Sequence, residues 1–176
     1  VSIGAQVYDK QTDTLGDSFG ATVDITSCDR SLIDPDTVRW WMRQSDAARQ
    51  VFDDAGQDDI HEVLFQFACF VGVQRRDARP ILVWGNGATF DNTILAGAYR
   101  DYPADNGDYV KPWSYREDAC LRTLRTLYPH VEAVRPSIAH NALADAKAQA
   151  LMLQKLLHAV RGTSQQPTPY LIPESA

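Results

Sequence analysis

Two short segments carry residues whose types and spacing suit hydrolytic chemistry. The first is Trp84-Gly-Asn-Gly-Ala-Thr-Phe-Asp91. A short apolar run, Pro80-Ile-Leu-Val-Trp84, leads into it. A buried strand therefore feeds a Gly-bearing turn, and a helix opens at or near Asp91. That sets a carboxylate at a helix N-terminus, where the macrodipole favours its charged form. The second segment is His140-Asn-Ala-Leu-Ala-Asp145, at the start of the last helical pattern. Five residues at about 100° each put His140 and Asp145 about 140° apart, so they share no single helical stripe. A His in the entering loop and an Asp in the first turn can still face the same strand end. Taken alone, each segment also reads as plain capping: Asp91 as an N-cap, and Asn141 as an N-cap with Asp145 decorating the first turn. Taken together they say more. Between Asp91 and His140 lie enough residues for a helix, a strand and a helix. Carboxylates at strand ends, with no Cys cluster beside them, point to hard divalent cations, Mg²⁺ or Mn²⁺. A neutral His can take the proton of an attacking water. Phosphodiester hydrolysis uses all three parts.

The rest of the composition bounds this reading. The chain has 176 residues, 44% hydrophobic and 23% charged, which suits one globular domain of roughly average make-up. Lys and Arg number 17 against 23 Asp and Glu, a net charge of −6. An acidic chain is a poor coat for nucleic acid, because phosphate binding needs a positive field. It can hold a phosphodiester where metal ions supply that charge. Cys28, Cys69 and Cys120 form no CxxC pair, which argues against zinc and redox sites. Three lone thiols fit the core of a protein in a reducing cytoplasm, and the chain shows no leader. The longest apolar run, Val63 to Val73, is interrupted by Gln66 and is too short to cross a bilayer. No membrane association is expected, and nothing in the sequence opposes self-association.

The elements that must position the two segments follow from periodicity. Val1 to Tyr8 alternates apolar and polar from its first residue, and Phe19 to Ile25 reads as a second strand after a turn at Asp13 to Gly16, giving an antiparallel hairpin. Helices are predicted from Pro35 or Asp36 through Met42, in a short turn capped by Ser45, and over Asp58 to Val73 with Ile60, Val63, Leu64, Phe67 and Val71 on one face. Asp91 to Tyr102 reads as a helix, Trp113 to Tyr115 as a short strand and Glu117 to Leu127 as a helix. Ala139 to Arg161 is the longest helix, with an apolar stripe of Leu143, Ala146, Ala150, Leu153, Leu157 and Val160, stopped by Gly162. Residues Thr163 to Ala176 hold three Pro and read as a tail after a single domain over 1–162. Strands first, then alternating helices and strands, make an α/β fold with helices on both faces of a sheet, and chemistry past the carboxyl ends of its strands.

At these residues the sequence resembles the DnaQ-like (DEDDh) 3′–5′ exonucleases of the ribonuclease H-like fold. Gly85-Asn-Gly-Ala-Thr-Phe-Asp91 is similar to that family's second motif and His140-Asn-Ala-Leu-Ala-Asp145 to its third. Thr37 to Ser45, Pro112 to Asp118 and Leu121 to Leu124 resemble segments of the exonuclease VIII / phage exonuclease A branch. The resemblance runs from Val1 to about Arg161 and implies a mixed sheet flanked by helices on both faces. The family's first motif, Asp-x-Glu on its first strand, is missing from the given chain and is expected upstream of Val1. The resemblance implies two divalent metal ions, Mg or Mn. Asp145 would ligate the catalytic metal with the missing Asp, Asp91 would act on the second metal or its water, and His140 would be the general base. The implied reaction releases nucleoside 5′-monophosphates from a nucleic acid 3′ end. DNA is favoured because the nearest-looking branch acts on DNA. RNA trimming by the same site is the runner-up, and a catalytically inactive end-binding or partner-binding module is a third reading.

Other residues carry less. Asn86 either holds the turn or touches the terminal nucleotide, the structural role coming first. Phe90 is expected in the core below the site. Trp40, Trp41 and Trp113 offer stacking surfaces but sit where core aromatics are common. Arg39, Arg43, Arg116, Arg122 and Arg125 can contact phosphates, although arginines on amphipathic helices more often form a solvated face. Asp118 reads as a cap near the site. His61, His130 and His158 show no partner pattern.

Overall fold

The hairpin predicted from the opening alternation is the longest piece of sheet in the computed structural model, which describes residues 1–53, 57–75, 81–103, 110–138 and 141–163. Strand β1 (Ser2–Asp9) pairs antiparallel with β2 (Thr14–Val23), Ser2 opposite Thr22 and Asp9 opposite Thr14. The second strand starts earlier than the alternation suggests, because Asp13 turns the chain sharply at a φ of 59°. Asp13 also accepts hydrogen bonds from the Tyr8 hydroxyl at 2.6 Å and pairs with His158 Nε2 at 2.7 Å. A two-residue strand, β3 (Gln57–Asp58), adds to β2 in parallel. A second sheet holds only β4 (Val83–Gly85) and β5 (Asp118–Cys120), in parallel. The chain is thus mixed α/β, as expected, with its described strands in two small sheets.

The helices follow local signals closely. Pro35 opens α1 (Pro35–Trp41), where its missing N–H costs nothing, and Asp34 caps it through Thr37 N–H at 2.8 Å. Ser45 caps α2 (Asp46–Arg49). In α3 (Ile60–Gln74) the buried residues are Ile60, Val63, Leu64, Phe67 and Val71, the predicted face. Val63 and Leu64 are fully buried, each contributing roughly 1.5–3 kcal/mol. Helix α4 spans Asp91–Asp101, α5 spans Leu121–Leu127 and α6 spans Ala142–Thr163. None is long and apolar enough to cross a membrane, among the described residues.

Several expectations are corrected. Trp113 to Tyr115 is not a strand. Ser114 and Glu117 form a capping box that winds Tyr115–Glu117 into a 3₁₀ turn, and the strand follows at Asp118. Pairing of Asp118–Cys120 with Val83–Gly85 then delays the helix to Leu121. Gly162 does not stop α6, which continues to Thr163. The buried face of α6 includes Ala148, Met152 and Leu156 as well as Ala150 and Leu153. The helix packs on β1 and β2 on one side and on α5 on another, so one stripe is not enough. No cysteine is buried: Cys28 and Cys120 are half-buried and Cys69 is exposed. Phe90 is exposed, because it ends the turn before α4 on the solvent side. The predicted tail falls on 164–176, outside the described residues.

Two core clusters result. The first joins Val23, the face of α3, Tyr99 and Trp113. The second joins Leu121 of α5 to Met152, Leu153 and Leu156 of α6, with Tyr8 and Trp84 packed against it. The second cluster carries α6, and so Asp145, against the strands.

Candidate active site

Asp91 is placed by a turn that only glycine permits. β4 ends at Gly85, and Phe90 N–H and Asp91 N–H both bond Gly87 O, at 2.7 and 2.9 Å. Asp91 Oδ2 accepts in turn from Gly87 N–H at 2.9 Å, so the carboxylate folds back over the turn. A Cβ at position 85 would lie 2.5 Å from Asn92 Oδ1 and 3.0 Å from Asp91 Cβ. The helix can therefore begin this close to the strand end only with glycine there.

The start of α4 is bolted down by a residue the sequence reading passed over. Asn92 is buried, and its Nδ2 donates to Val83 O at 2.9 Å and to Asp118 Oδ1 at 2.8 Å. Trp113 Nε1 donates to the same Asp118 oxygen at 2.7 Å, and Lys111 Nζ lies 3.3 Å from the other. Asp118 thus caps no α-helix start: it ends the 3₁₀ turn Tyr115–Glu117 as its C-cap and serves as the acceptor of this network. It opens β5, opposite Val83, at the end of the strand pair away from Asp91. An amide one residue after a candidate acid, in the first helical turn, was the available signal for this network.

Burial of Asp118 opposes its ionisation, but the hydrogen bonds from Asn92, Trp113 and Lys111 outweigh it and hold the carboxyl below its ordinary pKa. A depressed folded-state pKa adds stability above the unfolded value, about 3.9, and that stability is lost as pH falls through the folded value. Asp118→Ala leaves three donors without this acceptor and is expected to cost about 2 kcal/mol at pH 7. Urea unfolding at pH 7 and pH 3 checks this: the gap to the parent protein should narrow at pH 3. An equal gap at both values would refute an ionised Asp118.

Helix α5 is docked on the same turn. Arg122 N–H donates to Asn86 O at 3.0 Å. The Cys120 thiol is lowered to about 7 by hydrogen bonds from the Thr123 hydroxyl and from the backbone of Ala88, Thr123 and Arg122. Asn86 therefore holds the turn by its backbone, and it lines a cleft of about 170 Å³.

Asp145 lines that same cleft. It sits half-buried in the first turn of α6, where Asn141 Oδ1 accepts from Ala144 N–H at 2.9 Å and Asn141 O from Asp145 N–H at 2.8 Å. Asn141 is thus the helix cap. The strands hold this turn closely: Gly4 and Gly20 are cross-strand partners, and they face Ala142 and Leu143.

The fold so brings Asn86 and Asp145 to one cleft. Asp91 closes the turn that Asn86 opens. His140 lies outside the described residues. Trp113 is buried and offers no stacking surface, whereas Trp40 is exposed. The carboxylate oxygens of Asp91 and Asp145 are the donor type that Mg²⁺ or Mn²⁺ takes. Among the described residues no group of three or more His, Cys, Asp or Glu gathers to hold a metal ion.

A family model described as the 3′–5′ exoribonuclease Rv2179c-like domain matches residues 1–157. The chain belongs to the Rv2179c-like family. This Rv2179c-like protein is an enzyme, a 3′–5′ exonuclease, and its substrate is nucleic acid. The match takes in both motif segments, the five strands among the described residues and all but the last six residues of α6. No curated protein and no solved structure matches the chain.

Proposed function

We propose that the protein removes nucleotides one at a time from RNA 3′ ends, releasing nucleoside 5′-monophosphates. The family match over residues 1–157 carries this reading. Asp91 and Asp145 are read as the cation ligands and His140 as the general base. Divalent cations held there would supply the positive charge that an acidic chain lacks. The chain's own residues orient the scissile group and move the proton. His140 accepts the proton of the attacking water and returns one to the leaving oxygen. Asn86 and the Gly85–Gly87 turn shape the wall against which the strand end rests. Residues 1–162 form the exonuclease unit in this reading, with the strands ordered as in a ribonuclease H-like mixed sheet.

DNA is the second reading. It rests on the segments Thr37 to Ser45 and Pro112 to Asp118, which resemble the exonuclease VIII branch. RNA is put first because the matching family is described as exoribonucleases.

The test is a digest of 5′-labelled RNA and DNA oligonucleotides of one sequence, with Mn²⁺ and with chelator. A ladder shortening by single nucleotides from the 3′ end is expected, abolished by chelator, with RNA shortened at least ~10-fold faster. A rate discrimination of that size needs only about 1.4 kcal/mol at the 2′-hydroxyl. Internal cuts, or products ending in 3′-phosphate, would refute the mechanism. DNA shortened faster would reverse the substrate order.

A further inference from the structure

Among the described residues one polar side chain is buried, that of Asn92, at 4% exposure. It sits in the first turn of α4, the helix whose Leu95 and Tyr99 join the first core cluster. An apolar residue would pack in such a place with no partner to find, whereas a buried amide must be hydrogen-bonded. Asn92 Nδ2 donates to Val83 O at 2.9 Å and to Asp118 Oδ1 at 2.8 Å. Val83 and Asp118 face each other in the parallel pair β4–β5, so one side chain ties the helix to both strands.

The start of α4 needs that tie. Phe90 holds the cap position and gives no side-chain hydrogen bond, and a helix start without a cap leaves its first N–H groups unheld. Asp91 accepts from Gly87 N–H at 2.9 Å, a bond inside the same turn, which cannot fix that turn against the sheet. Asn92 can. Successive residues leave a helix about 100° apart, so holding Asn92 on the strands sets the direction in which Asp91 leaves the axis. The two side chains also meet β4 at one point. A Cβ on Gly85 would lie 2.5 Å from Asn92 Oδ1 and 3.1 Å from Asp91 Oδ2. Amide and carboxylate are thus set against the same strand residue.

We propose that Asn92 is a positioning residue for Asp91: by tying the first turn of α4 to β4 and β5 it fixes the depth and direction of the Asp91 carboxylate, and so its affinity for a divalent cation. The inference rests on the reading of Asp91 as a cation ligand. Groups that orient a ligand without touching the metal change affinity or activity by ~10–100-fold when they are removed. The low end of that range, about 10-fold, is expected here because Asp91 keeps its bond to Gly87.

The experiment pairs amide hydrogen exchange at Gly87, followed by NMR in chelator, with Mn²⁺ titration by electron paramagnetic resonance. Gly87 N–H is the donor to Asp91, so its exchange reports the carboxylate's position with no cation present. In Asn92→Ala, Gly87 should exchange several-fold faster and Mn²⁺ should bind about 10-fold more weakly. Val71→Ala, a cavity in the buried face of α3, should lose stability yet keep both readouts at the parent value where it is folded. A partner swap serves if Asn92→Ala does not fold. Asn92→Asp faces Asp118 with a like charge and should quicken Gly87 exchange. Adding Asp118→Asn returns an amide donor to the pair and should slow it again. Parent-like Gly87 exchange in Asn92→Ala, the same change in Val71→Ala, or no recovery in the swap would overturn the proposal. So would parent-like Mn²⁺ binding in Asn92→Ala where Asp91→Asn weakens it. If Gly87 exchange quickens but neither Asn92→Ala nor Asp91→Asn alters Mn²⁺ binding, the reading of Asp91 as a ligand falls and its positioning by Asn92 stands.

Discussion

Asp145→Asn is expected to reduce turnover at least ~10³-fold while the protein stays folded. Asparagine has the shape of aspartate and the residue is only half-buried, so the packing around it is kept. The helix N-terminus loses a favourable charge worth about 0.3–1 kcal/mol. The chemical loss is much larger, because stabilising charge at a phosphoryl oxygen is worth several kcal/mol and each 1.4 kcal/mol is about tenfold in rate. His140→Ala separates the two roles. A general base contributes ~10²–10⁴ in rate, so this variant should be slow yet still titrate Mn²⁺ like the parent protein. Asp145→Asn should lose Mn²⁺ affinity together with rate. Mn²⁺ titration by electron paramagnetic resonance, beside single-turnover rates, reads both. Parent-like Mn²⁺ binding in Asp145→Asn would remove Asp145 from the ligand set, and a parent-like rate in His140→Ala would remove His140 from catalysis.

What the sequence makes legible is what neighbouring residues decide among themselves. The face of α3 is readable because Ile60, Val63, Leu64, Phe67 and Val71 recur at helical spacing and the helix meets the core on one side only. Pro35 opens its helix, and Ser45 and Asn141 cap theirs, within one turn of their own position, so these roles can be read from type alone. The helix start at Asp91 is readable from the Gly-bearing turn just before it, although Phe90 holds the cap position and no side chain caps the helix. What escapes is what distant segments decide. Nothing near Trp113 reveals that its indole will donate to Asp118, or that Asn92, 26 residues earlier, will donate to the same oxygen. That network sets where β5 begins, and so displaces both the strand and the helix expected around it. The two-sided burial of α6 is equally hidden, since its partners β1 and α5 lie at opposite ends of the chain's order.

The sharpest of these distant contacts is at Gly4, and Gly4→Ala should be the most damaging small substitution in the hairpin. A Cβ there would lie 2.2 Å from the carbonyl carbon of Ala142, 2.3 Å from its oxygen and 2.5 Å from the nitrogen of Leu143. All three are backbone atoms, so no side chain can swing aside. Its cross-strand partner Gly20 meets only the Leu143 side chain, at 3.3 Å, which can shift slightly. The pair forms a notch in the sheet that seats the first turn of α6, three residues before Asp145. One added methyl must push that turn off the strand or bend β1. Overpacking of this kind costs about 1–3 kcal/mol, and we expect the upper end because backbone must move. A displacement of about 1 Å at a reacting group can cost ~10²-fold in rate, so turnover should fall further than stability alone explains. Gly72→Ala is the matched control. Gly72 lies in α3 with nothing within 4 Å of its missing Cβ, and the change should be neutral or stabilise by up to about 1 kcal/mol. Chemical denaturation with single-turnover rates on both variants decides the matter. If Gly4→Ala loses stability but turns over normally at a temperature where it is folded, the notch serves the fold alone. If it loses turnover while folded, the close approach at Gly4 is what aligns Asp145 with the strand ends.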